Sequence, residues 1–349
     1  MNPGATEHCK AALDISPNLR FFARVQLRRA AAIVLPLLVV AAALATLEFV
    51  RLPQHTYLWR EIQNTGHVPL FGVISLAMFA LSVQLLGNVV KKRFVHYVIA
   101  ATVTFCIGLV TELAQIIGPR DADVWDQVRN TAGIIIFLGA YLTFDRKMRE
   151  PLQRLGRRII PLIRGAVAVL IVVIIIPVTL WVDAYTFRNE QFPIICDFRS
   201  RRELKFIRAH NAEVRRIPAP AGWVSADSGG VGEVTFRPPV EYPGFIIDDP
   251  VENWSGYSAL TFDAYSEQDT VITLHMTIQD NAHNQMYSDR FNHSFKVAPG
   301  PNRIAIPLDI VRKAPAERSM DMSRIANINI FAYRPTGPFV VYFDRFMLE

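Results

Sequence analysis

Glu112-Leu-Ala-Gln115-Ile-Ile-Gly-Pro-Arg120-Asp-Ala-Asp-Val-Trp-Asp126-Gln-Val-Arg129-Asn130-Thr-Ala-Gly133 sets acids, amides and arginines where one long apolar run ends and the next begins. Ionisable groups at membrane depth are costly, so their gathering at one level invites a functional reading. Working outward from this stretch, five apolar runs fill the first half of the chain, at 30–47, 68–86, 94–117, 124–144 and 162–182. Each is near the ~20 residues a helix needs to cross a hydrocarbon core of ~30 Å. Beyond Asp183 the apolar residues alternate instead, with frequent turn signals, which predicts a soluble β domain.

The expected fold is therefore an all-α five-helix transmembrane bundle followed by an all-β two-sheet sandwich, for which a resemblance given below implies jelly-roll topology. It divides into a basic cytoplasmic N-terminus (1–29), four spans (30–145), a basic cytoplasmic loop (146–161), a fifth span (162–182), a linker (183–195) and an extracytoplasmic domain (196–349). A hydrophobic content of 51% fits this mixture, being too high for an ordinary soluble chain and too low for a pure transporter.

Charge divides along the same line. Before Asp183 there are 19 Lys plus Arg against 10 Asp plus Glu; after it, 18 against 21. The bases of the first half cluster at residues 10–29, 91–93 and 146–164, which hold 15 of them, while only Arg51, Arg60, Arg120 and Arg129 lie in or beside the alternate segments. Positive clusters mark cytoplasmic loops. The N-terminus is thus expected inside and the β domain outside. The same reasoning makes the clusters orientation signals and excludes a nucleic-acid partner. Cys9, Cys106 and Cys196 fall at three different levels, so no disulfide within the chain is expected. No metal-type Cys/His spacing appears, and neither metal nor cofactor is expected. Arg28-Arg29, an apolar core and Ala43-Leu-Ala45 have the look of a signal peptide, but the long polar lead and Pro36 favour a retained first span.

On helices, residues three or four apart share a face, so Glu112 and Gln115 point together, and Asp126, Arg129, Asn130 and Gly133 form a second stripe. The short connection with Gly118-Pro119 closes a helical hairpin. It brings Glu112, Gln115, Arg120, Asp126 and Asn130 together at the outer face, where His67, opening the second span, lies at the same level. Arginines and amides there satisfy the acids, and Gly133 lets a neighbouring helix approach. A plain structural reading, in which these groups only close the hairpin, stands beside the functional one.

The pattern Glu-x-x-Gln-x4-Arg-x5-Asp-x3-Asn-x2-Gly, preceded by a His at the start of an earlier span, resembles the VanZ-like family of small bacterial membrane proteins. His67, Glu112, Gln115, Arg120, Asp126, Asn130 and Gly133 carry the resemblance, over residues 30–145. Family members commonly show an acid three residues before the His, where this chain has Asn64, and a small hydroxyl residue in place of Asp123. The resemblance implies bacterial origin, hence the bacterial cytoplasmic membrane, and a cell-envelope role, one member being associated with glycopeptide-antibiotic resistance; it implies no settled biochemical activity.

In the β half, residues 258–266 and 271–280 alternate strictly, turning Leu260, Phe262, Ala264, Leu274, Met276 and Ile278 to one side. Residues 303–308, 328–333 and 340–348 continue the pattern. Asn253-Trp-Ser-Gly-Tyr257, Pro299-Gly-Pro-Asn302 and Phe343-Asp-Arg-Phe346 resemble jelly-roll carbohydrate-binding modules and galactose-binding-like domains. Asp263, Tyr265, His275, Gln279, Asn329 and Tyr333, with Thr277 and Phe331, are the outward residues suited to a sugar, rings to stack and polar groups to grip hydroxyls. The polar loop 280–290 is placed to rim the same face.

The residues support three classes of function. The leading one is a non-enzymatic envelope protein in which the bundle holds an anionic or lipid-linked glycan head group and the sandwich engages a glycan. The second is an enzyme on such a ligand, with His67, Glu112 or Asp126 as catalytic candidates and Arg120 stabilising negative charge. The third is a scaffold in which the cluster serves the hairpin alone.

Overall fold

The computed structural model describes residues 17–50, 52, 56–117, 124–223 and 229–349, and of 17–25 and 115–117 the backbone only. Two compact units emerge, residues 1–52 with 61–176, and residues 53–60 with 177–349.

The first unit is helical. Long helices α1 (Pro17–Phe49), α3 (His67–Leu86), α4 (Arg93–Ile117), α5 (Val124–Phe144) and α7 (Ile159–Gln191) match the five apolar runs. Two short helices, α2 (Tyr57–Thr65) and α6 (Arg146–Leu155), bring the total before the first strand to seven among the described residues. The stretch expected as a basic loop is thus largely helix. The Asp145 side chain caps it by accepting from the Lys147 amide at 3.0 Å, and Met148 and Leu152 bury its apolar face. The expected linker is helical too, since α7 continues to Gln191. Residues 159–176 of α7 count with the first unit and 177–191 with the second, the division falling at Pro177.

α3 is the centre of the bundle. Its far end sets Phe79 against Tyr97 of α4 and Tyr141 of α5, with ring centroids 4.3 and 5.3 Å apart. Its near end lies against Gly133 of α5, where a Cβ would collide with the Val68 carbonyl oxygen. Hence α3 and α5 run parallel with their backbones nearly touching, and α4 runs antiparallel to both. Ala43 and Leu47 of α1 pack on Phe71 and Ile74. At the far end Arg93 Nε and the Tyr97 hydroxyl donate to Asp145 at 2.8 and 3.0 Å, tying the basic end shut.

Four helical stretches, within 26–49, 57–86, 93–114 and 159–191, are long and apolar enough to cross a membrane. α5 falls short because its first two turns hold Asp126, Gln127, Arg129 and Asn130.

The second unit is a two-layer antiparallel sandwich. One sheet has the order β3 (Ala212–Ile217), β4 (Val231–Phe236), β11 (Phe339–Leu348), β6 (Ala259–Ser266), β9 (Gly300–Pro307), with β1 (Ile194–Cys196) also on β11. The other runs β2 (Ile207–His210), β5 (Gly244–Asp248), β10 (Ile325–Phe331), β7 (Ile272–Asp280), β8 (Phe291–Val297). The chain crosses between sheets at almost every turn, as a jelly roll requires. Leu260, Phe262 and Ala264 from one layer meet Leu274, Met276, Ile278, Ile328 and Ile330 from the other, all fully buried. Each of these side chains except that of Ala264 contributes roughly 1.5–3 kcal/mol by leaving water. Phe262 stacks on Phe346 at 4.7 Å, and Trp254 closes the core edge with its ring nitrogen donating to the Val251 carbonyl.

Candidate functional site

Two places gather polar groups, one in each unit. In the bundle, α2 passes into α3 through Gly66, which is itself helical, and Pro69 sits in the first turn of α3. This turn buries His67 to 5% exposure with its ring over Phe71. The fully buried Asn130 of α5 lies beside it, its Oδ1 3.0 Å from His67 Nδ1. Asn130 Nδ2 donates to Gln127 Oε1, so the amide oxygen is the atom left to face the ring, and His67 must donate from Nδ1. His67 Nε2 then points at Asp126, 3.7 Å from Oδ2, while Arg129 donates to Asp126 Oδ1 at 2.6 Å. Glu112 of α4 is buried and completes the group, with ligand atoms of His67, Glu112 and Asp126 within 4.8 Å of one another.

Of the residues singled out in the sequence, His67, Glu112, Asp126 and Asn130 converge. Gly133 lies a turn deeper and serves the α3–α5 approach. Arg120 and the Gln115 side chain lie outside the described residues.

In the sandwich, a groove of about 550 Å³ opens over the outer face of the β5-β10-β7-β8 layer. Its floor comes from His275 and Thr277 of β7 and Asn329 and Phe331 of β10, with Asn329 directly opposite Thr277 and Phe331 opposite His275. His275 stacks on Phe331 at 5.4 Å, and Ser294 of β8 meets His275 Nδ1 at 2.9 Å. Tyr242 and Tyr333, 5.5 Å apart, stand at one side, both about half exposed. Tyr287 and Arg290, from the 280–290 loop, stand among the other lining residues, the guanidinium 5.5 Å from the Tyr287 ring. Thr277 Oγ1 and Asn329 Oδ1 are buried at the floor without a hydrogen-bond partner among the described residues. Leaving a buried polar group unpaired costs about 1–3 kcal/mol, so both are open to a hydrogen-bonding group entering the groove.

The outward residues named from the sequence do not share one face. His275, Asn329 and Tyr333, with Thr277 and Phe331, line the groove. Asp263 and Tyr265 belong to β6 in the other sheet, where Arg303 Nη1 donates to Asp263 at 3.0 Å and Tyr265 stacks on Trp223. Gln279 is on β7 but beyond the groove, paired with Asn327. Alternation tells which residues point away from a core; it does not tell to which sheet a strand is assigned. Tyr242, Asn292, His293 and Ser294 line the groove unforeseen. The alternation of Phe291, Phe295 and Val297 with polar residues was a usable signal for β8, whereas nothing local marks Tyr242.

No protein-family model and no curated protein matches the sequence. Among solved structures, the chain is similar to an exo-β-agarase, with 15% identity over 45% of this chain, a TM-score of 0.37, and only 24% of the agarase covered. A family 11 carbohydrate-binding module from Clostridium thermocellum, solved with a β-1,3-1,4-mixed-linked tetrasaccharide, aligns at 20% identity over 41% of this chain and 88% of its own, with a TM-score of 0.32. A family 30 carbohydrate-binding module of a C. thermocellum cellulosomal cellulase aligns at 14% identity, over 41% and 91%, with a TM-score of 0.31. A ligand for the groove is therefore inferred from its own side chains and not from these likenesses.

Proposed function

We propose that this is a multi-pass protein of the bacterial cytoplasmic membrane, with its N-terminus inside, whose outer sandwich binds a glycan in the β5-β10-β7-β8 groove. The carrying observation is the groove floor, where Thr277 Oγ1 and Asn329 Oδ1 lie unpaired beside the stacked His275 and Phe331. A pyranose offers the matching chemistry, an apolar ring face for the aromatics and hydroxyls for the polar atoms. Among the described residues lining the groove there is no Asp or Glu. Hydrolysis of a glycosidic bond ordinarily needs two carboxylates, so the groove suits capture rather than cleavage.

Membrane insertion is supported by outward apolar side chains such as Leu35, Leu38, Leu162 and Val172, each at least 60% exposed. A water-soluble protein does not sustain such a surface. α5 is taken as a span despite its polar start, because Asn130, Ala132 and Gly133 are buried against the bundle rather than turned outward. The VanZ-like pattern, carried by His67, Glu112, Asp126 and Asn130, supports an envelope role for the bundle's outer end. There Arg120 and Arg129 would hold an anionic, lipid-linked glycan head group.

The test is a binding screen of the detergent-solubilised chain against soluble plant and bacterial glycans, read by calorimetry. Phe331→Ala should lower affinity for any glycan captured by at least about tenfold, the loss of one stacked ring. Absence of capture across the panel, or capture indifferent to Phe331, would reject the groove as the site.

A further inference from the structure

We infer that His67, Glu112 and Asp126 form a binding site for one first-row divalent metal ion at the outer end of the bundle. This goes beyond the glycan reading and does not depend on it.

The geometry is specific. With Asn130 accepting from Nδ1, His67 turns its Nε2 toward the Asp126 carboxylate, 3.7 Å away. The separation of 3.7 Å is too long for a good direct hydrogen bond. It is close to the ~3.4 Å between two ligands of a tetrahedral ion with bonds of ~2.0–2.1 Å. Glu112 brings a second carboxylate within 4.8 Å of both partners. Asn130 stands as the outer-shell group that orients a metal-bound histidine, and Arg129 as the one that holds the other oxygen of Asp126.

One nitrogen and two carboxylate oxygens suit Zn²⁺ or Mn²⁺, whereas Mg²⁺ and Ca²⁺ prefer all-oxygen sets. Three ligands from three helices leave at least one coordination position open to a ligand anion. Cysteine and histidine spacing could not reveal such a set, because its members are 45 and 14 residues apart in the chain.

The test uses the full chain, purified without a polyhistidine tag, stripped with chelator, dialysed against Zn²⁺ or Mn²⁺ and analysed by mass spectrometry for bound metal. Wild type should retain about one ion per chain and melt at a higher temperature than the stripped form. His67→Gln, Glu112→Gln and Asp126→Asn should each weaken uptake by at least about tenfold, and Asn130→Ala by about tenfold, with helical circular dichroism unchanged. Asp309→Asn, on the exposed helix after β9, should leave uptake as in wild type. Should a variant fail to fold, the wild-type uptake and melting shift still decide. Stripped wild type that takes up no ion, or uptake that survives all three ligand substitutions, overturns the site.

Discussion

At the scale of single residues, the sandwich carries its own pH response. Glu203 lies just beyond β1, where burial first and the Asp197 charge second push its carboxyl up to about 7 from an ordinary 4.5. A carboxyl whose pKa is raised by folding stabilises the protein fully below the unfolded value and loses that contribution as pH climbs through the folded one. Stability should therefore decline between pH 4.5 and 7. Thermal unfolding followed by tryptophan fluorescence should show that decline flattened in Glu203→Gln; an equal slope in both proteins would contradict the assignment. Thr277 offers a separation of binding from folding. Thr277→Val removes an unpaired buried hydroxyl at nearly constant volume, so stability should hold or rise by up to about 1 kcal/mol. Glycan affinity should nevertheless fall by several-fold. Alternation placed Thr277 outward in the sequence, but its lack of a partner became visible only once β10 lay beside β7.

At the scale of elements, one arginine positions the loop that walls the groove. Arg318 donates from Nε to Asp289 at 2.6 Å and from Nη2 to Asp280 at 2.7 Å, and the Asp321 amide also donates to Asp280. This fastens residues 280–290, and with them Tyr287 and Arg290, to the end of β7. Arg318 holds the Asp280 carboxyl below its ordinary value against the opposing effect of burial. That contribution is present above the unfolded carboxylate pKa and fades as pH falls through the lowered one. Arg318→Ala leaves the buried Asp280 charge without its cation and should cost about 3 kcal/mol in denaturant unfolding. Groove affinity should weaken with it, since the Tyr287 loop is no longer held. In the bundle, Gly133 allows α3 and α5 to touch backbone to backbone. Gly133→Val must push them apart and should cost roughly 1–3 kcal/mol, read as a lower melting temperature in detergent. The sequence marked Gly133 as a close-approach position, yet not that Val68 is its neighbour.

At the scale of the whole molecule, the proposed topology of five crossings with the basic clusters inside predicts that the sandwich lies outside the cytoplasm. A C-terminal fusion to a reporter enzyme active only outside the cytoplasm should be active, and a fluorescent protein that folds only in the cytosol should stay dark there. The reverse pattern would remove α5 from the count of spans and place the groove inside. Composition and periodicity by themselves determined a helical first half and a β second half, the five long helices and the inward set of Leu260, Phe262, Leu274, Met276 and Ile330, because burial of apolar surface acts locally on one helix face or one strand side; the boundary itself falls at Pro177, inside α7. They missed α2 and α6, whose short amphipathic patterns lie within polar stretches that read as loops. Only the tertiary structure separated Asp263 and Tyr265 from His275 and Asn329, since assignment of a strand to a sheet depends on partners far away in the chain. Only it showed that His67, Glu112 and Asp126 meet ligand to ligand. Helical spacing places a residue on a face, but the distance between faces is set by how helices pack, here by a glycine at the α3–α5 contact.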